Sequence, residues 1–324
     1  MSGALLRVEG ISKTYAASGA FGAGKRAEAL DGVSFDLSAG EALAIAGESG
    51  SGKTTLGLIV ARLEEPTRGA ILLDGEDWLA LSGRALRRAR RNVQIVFQDP
   101  ATSLDPRMRA GDSIAEPLRA LCGLSGPALR SRVAALLGEV GLEPSAARRY
   151  PREFSGGERQ RIAIARAIAP GPRIVVCDEP VAALDASARA RVLNLLLDLR
   201  ERTGVAYLFI SHDMDAIRTV ADRVAVLYGG RLVEEAPAAD FFSGPRHPYS
   251  AALLAGRAIP GEPPDPASLP PGCRFHPRCP SARSRCSQEE PPLAAEPEGR
   301  RAACFFPSEQ AEKTKLSGAD RVIG

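Results

Sequence analysis

This 324-residue sequence has no run approaching the ~20 consecutive apolar residues that a helix needs to cross a bilayer, and its start, Met1-Ser2-Gly3-Ala4-Leu5-Leu6-Arg7, lacks the apolar core of a secretory signal. The expectation is a folded enzyme that stays in the cytoplasm. Net charge is scarce as well, at +3, which is too little to argue for a nucleic-acid partner. The locally basic run from Arg84 to Arg91 reads as a solvated helix face. Cysteine is nearly missing before residue 273, where only Cys122 and Cys177 occur, and both read as packing residues of a helix and a strand. What is present, 44% apolar and 25% charged residues, suffices to bury a large core and to form more than one domain.

Against that background Gly47-Glu48-Ser49-Gly50-Ser51-Gly52-Lys53-Thr54 fits G-x-x-x-x-G-K-[S/T] at every position. In such a loop the glycines let backbone N–H groups curl around phosphate oxygens, the lysine reaches the outer phosphates, and the threonine faces Mg²⁺. The flanks agree: Ala42 to Ala46 reads as a short buried strand entering the loop, and Thr55 to Arg62 as the helix leaving it. Gly47, Ser49, Gly50, Ser51, Gly52, Lys53, Thr54 and Thr55 are therefore candidate contacts to a nucleoside triphosphate. A second apolar strand, Ile174 to Cys177, ends in Asp178 and Glu179, where a P-loop ATPase holds Mg²⁺ and polarises the attacking water. A third, Tyr207 to Ser211, is capped by His212, from where a polar side chain reaches towards a γ-phosphate.

The chain reads as strands and turns to about residue 95, a helical insert over about 96–170 containing helices at Ser113 to Cys122 and Pro127 to Val140, then alternating strands and helices to about residue 240. Alternation of that kind implies a parallel sheet with helices on both faces. Ile259 to Gly272 is proline-rich and reads as an extended linker, and Ser308 to Gly324 as a loose tail. The expected organisation is an ATPase domain over 1–244, an extension over 245–307 and a flexible tail over 308–324. Within the extension, Cys273, Cys279, Cys286 and Cys304 fall inside 32 residues. In a cytoplasmic protein such a cluster points to metal ligation, and its spacing leaves tetrahedral Zn²⁺ and a [4Fe–4S] cube both open.

With these motifs in order, residues 5 to 245 resemble the ATP-binding subunits of ABC transporters. The resemblance implies an α/β fold, a P-loop NTPase (RecA-like) core with a helical subdomain and here a C-terminal cysteine-bearing extension. It implies that Ser155, Gly156 and Gly157, in Phe154-Ser155-Gly156-Gly157-Glu158, form a signature loop at a helix N-terminus that closes over ATP held by the opposite subunit. It carries to Gln98 the role of sensing Mg²⁺, to Asp185 a loop crossing the dimer, to Glu179 and His212 catalysis, to Thr54 and Asp178 the metal, and to Tyr15 stacking on adenine. Glu158 departs from the family, which usually has glutamine there.

The stretch Phe97 to Pro106, the segment Pro245 to Leu254 and the cysteines that follow look more narrowly like the dipeptide, oligopeptide and nickel importers. That resemblance implies a [4Fe–4S] cluster on Cys273, Cys279, Cys286 and Cys304, with zinc as the alternative, in a structural role. It implies an ATPase powering uptake of di- or oligopeptides from the cytoplasmic face of the membrane, bound there peripherally through two transmembrane permeases. A second ATPase, a paralogue or its own copy, and an extracytoplasmic solute-binding protein complete the expected partners, with ATP and Mg²⁺ as cofactors and no nucleic acid. The alternatives are a nickel or other small-solute importer, a soluble ABC ATPase without a transport role, which usually carries a second cassette or coiled-coil insertions absent from this sequence, and a module in which the cysteines sense iron.

Overall fold

The computed structural model describes residues 3–16 and 26–307. Strands β1 (Leu6–Ala16), β2 (Arg26–Leu37) and β3 (Ala42–Ala46) lead to helix α1 (Lys53–Val60), followed by β4 (Arg68–Leu73), β5 (Glu76–Asp77), α2 (Gly83–Ala89) and β6 (Val93–Val96). Helices α3 (Pro100–Ser103), α4 (Ala110–Cys122), α5 (Gly126–Glu139) and α6 (Gly156–Ile168) separate β6 from β7 (Ile174–Asp178). Next come α7 (Ala186–Thr203), β8 (Ala206–Ser211), α8 (Met214–Val220), β9 (Arg223–Tyr228), β10 (Arg231–Pro237), α9 (Ala238–Ser243) and α10 (Pro248–Leu254). The remaining described residues form α11 (Ser284–Gln288), β11 (Ala294–Ala295) and β12 (Arg301–Ala302) among turns.

The main sheet runs β11-β12-β10-β9-β3-β8-β7-β6. Its part from β9 to β6 is parallel, and β3, β7 and β8 are buried along their whole length. These strands are continuous apolar runs because both their faces are covered. One face carries the helices between β6 and β7 together with α7 and α8, joined in one apolar core that includes Leu136, Ile162, Leu196, Tyr207 and Phe209. The other face carries a helix as expected, and in addition a sheet that the expectation of helices on both sides did not include. It is covered by α1 and by a second, antiparallel sheet of order β2-β1-β4-β5, with Leu6, Ile11, Leu30, Leu37, Ile59, Val176, Leu208 and Trp78 in a shared core. The strands of this second sheet bury alternate residues over much of their length, as in β1 with its pattern Leu6 in, Arg7 out, Val8 in, Glu9 out. That two-residue period is what a sheet with one wet face requires.

The helices that the sequence places at Ser113 to Cys122 and Pro127 to Val140 appear as α4 and α5, each beginning slightly earlier. The Arg84 to Arg91 run forms α2 and a following 3-10 turn with no buried residue. The segment after residue 245 returns to the main sheet: β12 pairs with β10, Glu234 opposite Ala302, and Ala303 N–H donates to the Val233 carbonyl. The tail over 308–324 and residues 17–25 lie outside the described residues.

Candidate functional site

Strand β3 delivers the chain to the loop 47–52 at the carboxyl end of the parallel sheet. Gly47 has φ 153°, and a Cβ there would stand 2.3 Å from the Leu227 carbonyl oxygen; at Gly52, φ 107°, it would stand 2.4 Å from that of Ala29. No other residue fits at either place. Lys53, 6% exposed, turns back across the loop, its Nζ donating to the carbonyls of Gly47 at 2.7 Å and Glu48 at 2.9 Å. Burial lowers the Lys53 pKa from its ordinary value, while the carboxylates of Glu179, Asp178 and Glu48 act to raise it. Thr54 and Thr55 occupy the first turn of α1, and Ser49 and Gly50 are exposed at the loop's tip.

Beside this loop β7 ends in the two acids. Thr54 Oγ1 donates to Asp178 Oδ1 at 3.3 Å, and desolvation raises the pKa of Asp178, which is 4% exposed. Glu179 adopts φ 48°, a left-handed conformation that costs a non-glycine residue energy and that surrounding contacts must hold. They do so here: its N–H donates to the Ile210 carbonyl at 2.9 Å, Ser211 Oγ donates to its Oε2 at 3.4 Å, and His212 Nδ1 lies 2.7 Å from its Oε1. The parallel register of β7 and β8, with Asp178 opposite Ile210, brings the two strand ends level. Lys53, Thr54, Asp178, Glu179 and His212 thus converge on one point. Ser211 has no role legible in the sequence beyond its place before His212.

The other residues expected at the nucleotide stand apart. Gln98 is exposed on the loop after β6, two residues beyond Val96, which is opposite Cys177. Ser155 caps α6 by accepting from the Glu158 N–H at 3.2 Å, and the Glu158 carboxylate accepts the Ser155 N–H at 2.8 Å, a reciprocal capping box. These bonds, led by the one from the Ser155 backbone, lower the Glu158 pKa. Gly157 packs against the start of α7, where an added Cβ would stand 2.9 Å from the Ala188 Cβ, and Asp185 caps that helix by accepting from the Ala188 N–H at 2.8 Å. Ser155 to Gly157 and Asp185 therefore form a second group, and among the described residues its hydrogen bonds do not reach the loop 47–52. Tyr15, 37% exposed, ends β1 opposite Ala27 with Lys13 Nζ 4.9 Å from its ring centroid.

Cys273, Cys279, Cys286 and Cys304 line a single cavity of about 20 Å³, walled also by Phe275 and Phe306. Burial pushes the thiols of Cys273 and Cys304 up to about 11. Among the described residues no three His, Cys, Asp or Glu side chains are grouped to hold a single metal ion. Cys177 is fully buried in β7, and Cys122 packs at the edge of the core.

The family model described as ABC transporter matches residues 30–182. That described as oligopeptide/dipeptide transporter, C-terminal region, matches residues 233–286. The chain is 46% identical over 318 residues to a probable peptide ABC transporter ATP-binding protein of Sinorhizobium fredii, covering 94% of this chain and 90% of that one. It is 42% identical to a dipeptide transport ATP-binding protein of Haemophilus influenzae, covering 93% and 96%. The chain belongs to the ATP-binding subunits of ABC transporters. A solved ATP-binding cassette, dimeric and bound to ADP and phosphate in a post-hydrolysis state, superposes with a TM-score of 0.64 at 32% identity, covering 72% of this chain and 98% of that one. The ABC cassette is a P-loop NTPase fold, and the chain is an ATPase. Among the described residues no helix is long and apolar enough to cross a membrane.

Proposed function

We propose that this ABC ATPase powers the uptake of dipeptides or oligopeptides through two membrane permeases, to which it binds peripherally at the cytoplasmic face. The observation that carries this is the match of residues 233–286 to the oligopeptide/dipeptide transporter C-terminal region, together with relatives named for peptide transport along nearly their whole length. The nickel-importer and non-transport readings are not favoured by those relatives. A second ATPase subunit and an extracytoplasmic binding protein complete the assembly.

The clustered side chains support a division of labour at the nucleotide. The loop N–H groups from Gly47 to Gly52, with Lys53 and Thr55, take the phosphates; Thr54, Asp178 and Gln98 take Mg²⁺. Glu179, fixed by Ser211 and His212, orients and polarises the attacking water, and His212 faces the γ-phosphate. Tyr15 stacks on adenine. Ser155, Gly156, Gly157 and Asp185, apart from the loop within one chain, act across a head-to-tail dimer on the nucleotide held by the partner. Glu158 then brings a carboxylate to that interface, already satisfied by its own helix cap.

The extension over 245–307 is read as a cluster-bearing module. Zinc needs all its ligands about 2.3 Å from one point, whereas a [4Fe–4S] cube takes each thiolate on a different iron, so its cysteines surround a cage. Four thiols around one cavity support reading it as a cluster site, a [4Fe–4S] cube on Cys273, Cys279, Cys286 and Cys304 with zinc as the alternative. When bound it supplies cross-linking of a segment poor in secondary structure. Iron and sulfide analysis after purification without oxygen tests this: iron with sulfide is expected, and zinc alone overturns the cube.

Transport is tested in cells lacking this chain, assayed for uptake of labelled dipeptides and of nickel. Loss of dipeptide uptake, restored by the wild-type chain and not by Lys53→Ala, is expected. Loss of nickel uptake with peptide uptake intact would overturn the reading.

A further inference from the structure

The phosphate loop is not held by the cassette alone. Glu48, its second residue, is gripped from the C-terminal extension in two ways. Its backbone N–H donates to Tyr249 Oη at 2.7 Å, and its carboxylate accepts two parallel bonds from Arg278, from Nη1 to Oε2 at 2.8 Å and from Nη2 to Oε1 at 3.1 Å. The Arg278 side chain is 5% exposed and that of Glu48 28%. A shielded, two-pronged guanidinium–carboxylate pair is the strongest ordinary side-chain contact, and the most directional.

Arg278 is itself fixed. It donates to the carbonyls of Ile259 and Pro260 at 3.2 and 3.1 Å, and to Tyr228 Oη at 3.3 Å. It ends the 3-10 turn His276–Arg278, which lies between Cys273 and Cys279 and is tied to them by the bonds from His276 N–H to the Cys273 carbonyl and from Cys279 N–H to the His276 carbonyl. Tyr249 and Tyr228 pack with Phe275 at tilted and edge-to-face angles, ring centroids 4.5 to 5.4 Å apart.

The extension is held to the cassette by other contacts as well. Arg274 already pairs with Glu28 and Asp31 at 2.7 and 2.5 Å, and β12 already joins the sheet. Arg278 reaches instead into the loop that Lys53 spans, to the residue whose carbonyl Lys53 also holds. It does two things there. It anchors the Glu48 side chain beside the backbone N–H that Tyr249 holds, and it adds a second positive charge, besides Lys53, against a carboxylate at a site built for anionic phosphates.

We propose that Arg278 is a positioning residue for the phosphate loop, acting through Glu48, so that the cysteine-bearing extension sets the affinity of the cassette for ATP. The inference rests on the reading of loop 47–54 as the nucleotide site. The full chain is titrated with a fluorescent ATP analogue, and its turnover followed as a function of ATP. Arg278→Ala weakens binding by about ten- to a hundredfold, the loss of one charge-assisted hydrogen-bonded pair, raising KM while turnover at saturating ATP is unchanged; a merely structural loss lowers turnover as well. In a Glu48→Gln background the same substitution changes affinity little, because its target is gone. Arg278→Lys, which keeps the charge and most of the volume, gives an intermediate affinity and covers the case in which Arg278→Ala fails to fold. Wild-type affinity in both Arg278 variants, or an equal cost in both backgrounds, overturns the proposal. Unchanged binding by Lys53→Ala would instead overturn the nucleotide-site reading itself.

Discussion

Glu179 stands at φ 48° with its carboxylate between Ser211 and His212, and so keeps one orientation at the end of β7. A group held in that way accepts a proton from water with little reorganisation, and its amide isostere keeps the shape and loses the basicity. Glu179→Gln is expected to bind ATP as the wild type does and to hydrolyse it about 10²- to 10⁴-fold more slowly, measured by equilibrium binding and phosphate release. His247 carries a different consequence. It is 1% exposed, accepts the Tyr249 N–H at 3.2 Å as the N-cap of α10, and burial pushes its pKa down to about 3. The unfolded chain therefore binds a proton that the folded chain refuses, so stability is lost as pH falls from 6.5 towards 3. The slope from this residue is about 1.4 kcal/mol per pH unit. Asparagine also caps helices well and does not titrate. His247→Asn is expected to flatten the acid limb of the stability curve by that slope, measured as urea unfolding between pH 6.5 and 5; an unaltered limb would remove His247 as its cause.

Helix α1 sits against the main sheet through a glycine. A Cβ at Gly57 would stand 2.7 Å from Ile210 Cδ1 and 3.1 Å from Val176 Cγ1, both fully buried. Alanine is worth about 1 kcal/mol over glycine inside an exposed helix, whereas overpacking a filled core costs about 1 to 3 kcal/mol. The core wins at this position. Gly57→Ala is expected to lower stability by about 1 to 2 kcal/mol in denaturant unfolding, and to weaken ATP binding because Lys53, Thr54 and Thr55 ride on the same helix. A stabilised variant would show that α1 shifts freely over β7 and β8. The antiparallel sheet over this helix shows where sequence periodicity is ambiguous. The alternation of buried and exposed residues in β1 announces a strand with one wet face, but its partners β2 and β4 are chosen by register across the chain, which no local pattern states.

As a molecule, the cassette carries its candidate site residues in two groups with no hydrogen bond between them among the described residues: the phosphate loop with Asp178, Glu179 and His212, and the capped helix starts at Ser155 and Asp185. On the function proposed above, two copies or two related subunits bring the groups to one nucleotide. Glu179→Gln protein is accordingly expected to shift to a dimer when ATP is added, read by light scattering behind a sizing column. Adding Ser155→Arg at the α6 N-terminus should abolish that shift without altering binding to the monomer. A dimer that persists in the double variant would remove the signature loop from the interface.

How much of this was legible in advance divides along physical lines. The loop from Gly47 to Thr54 and the strand ends at Asp178-Glu179 and Ser211-His212 are set by interactions within a few residues, so their spacing alone announces them, whereas the capping box at Ser155 emerged only from the structure. The four cysteines are close in the chain, and in the structure they line one cavity. The grip of Arg278 and Tyr249 on Glu48, the return of β12 to the sheet beside β10, and the second sheet packed over α1 join residues separated by tens to hundreds of positions. The sequence determined the chemistry of each local motif. Only the tertiary structure decided which motifs touch, because burial and strand register act between segments that no spacing along the chain relates.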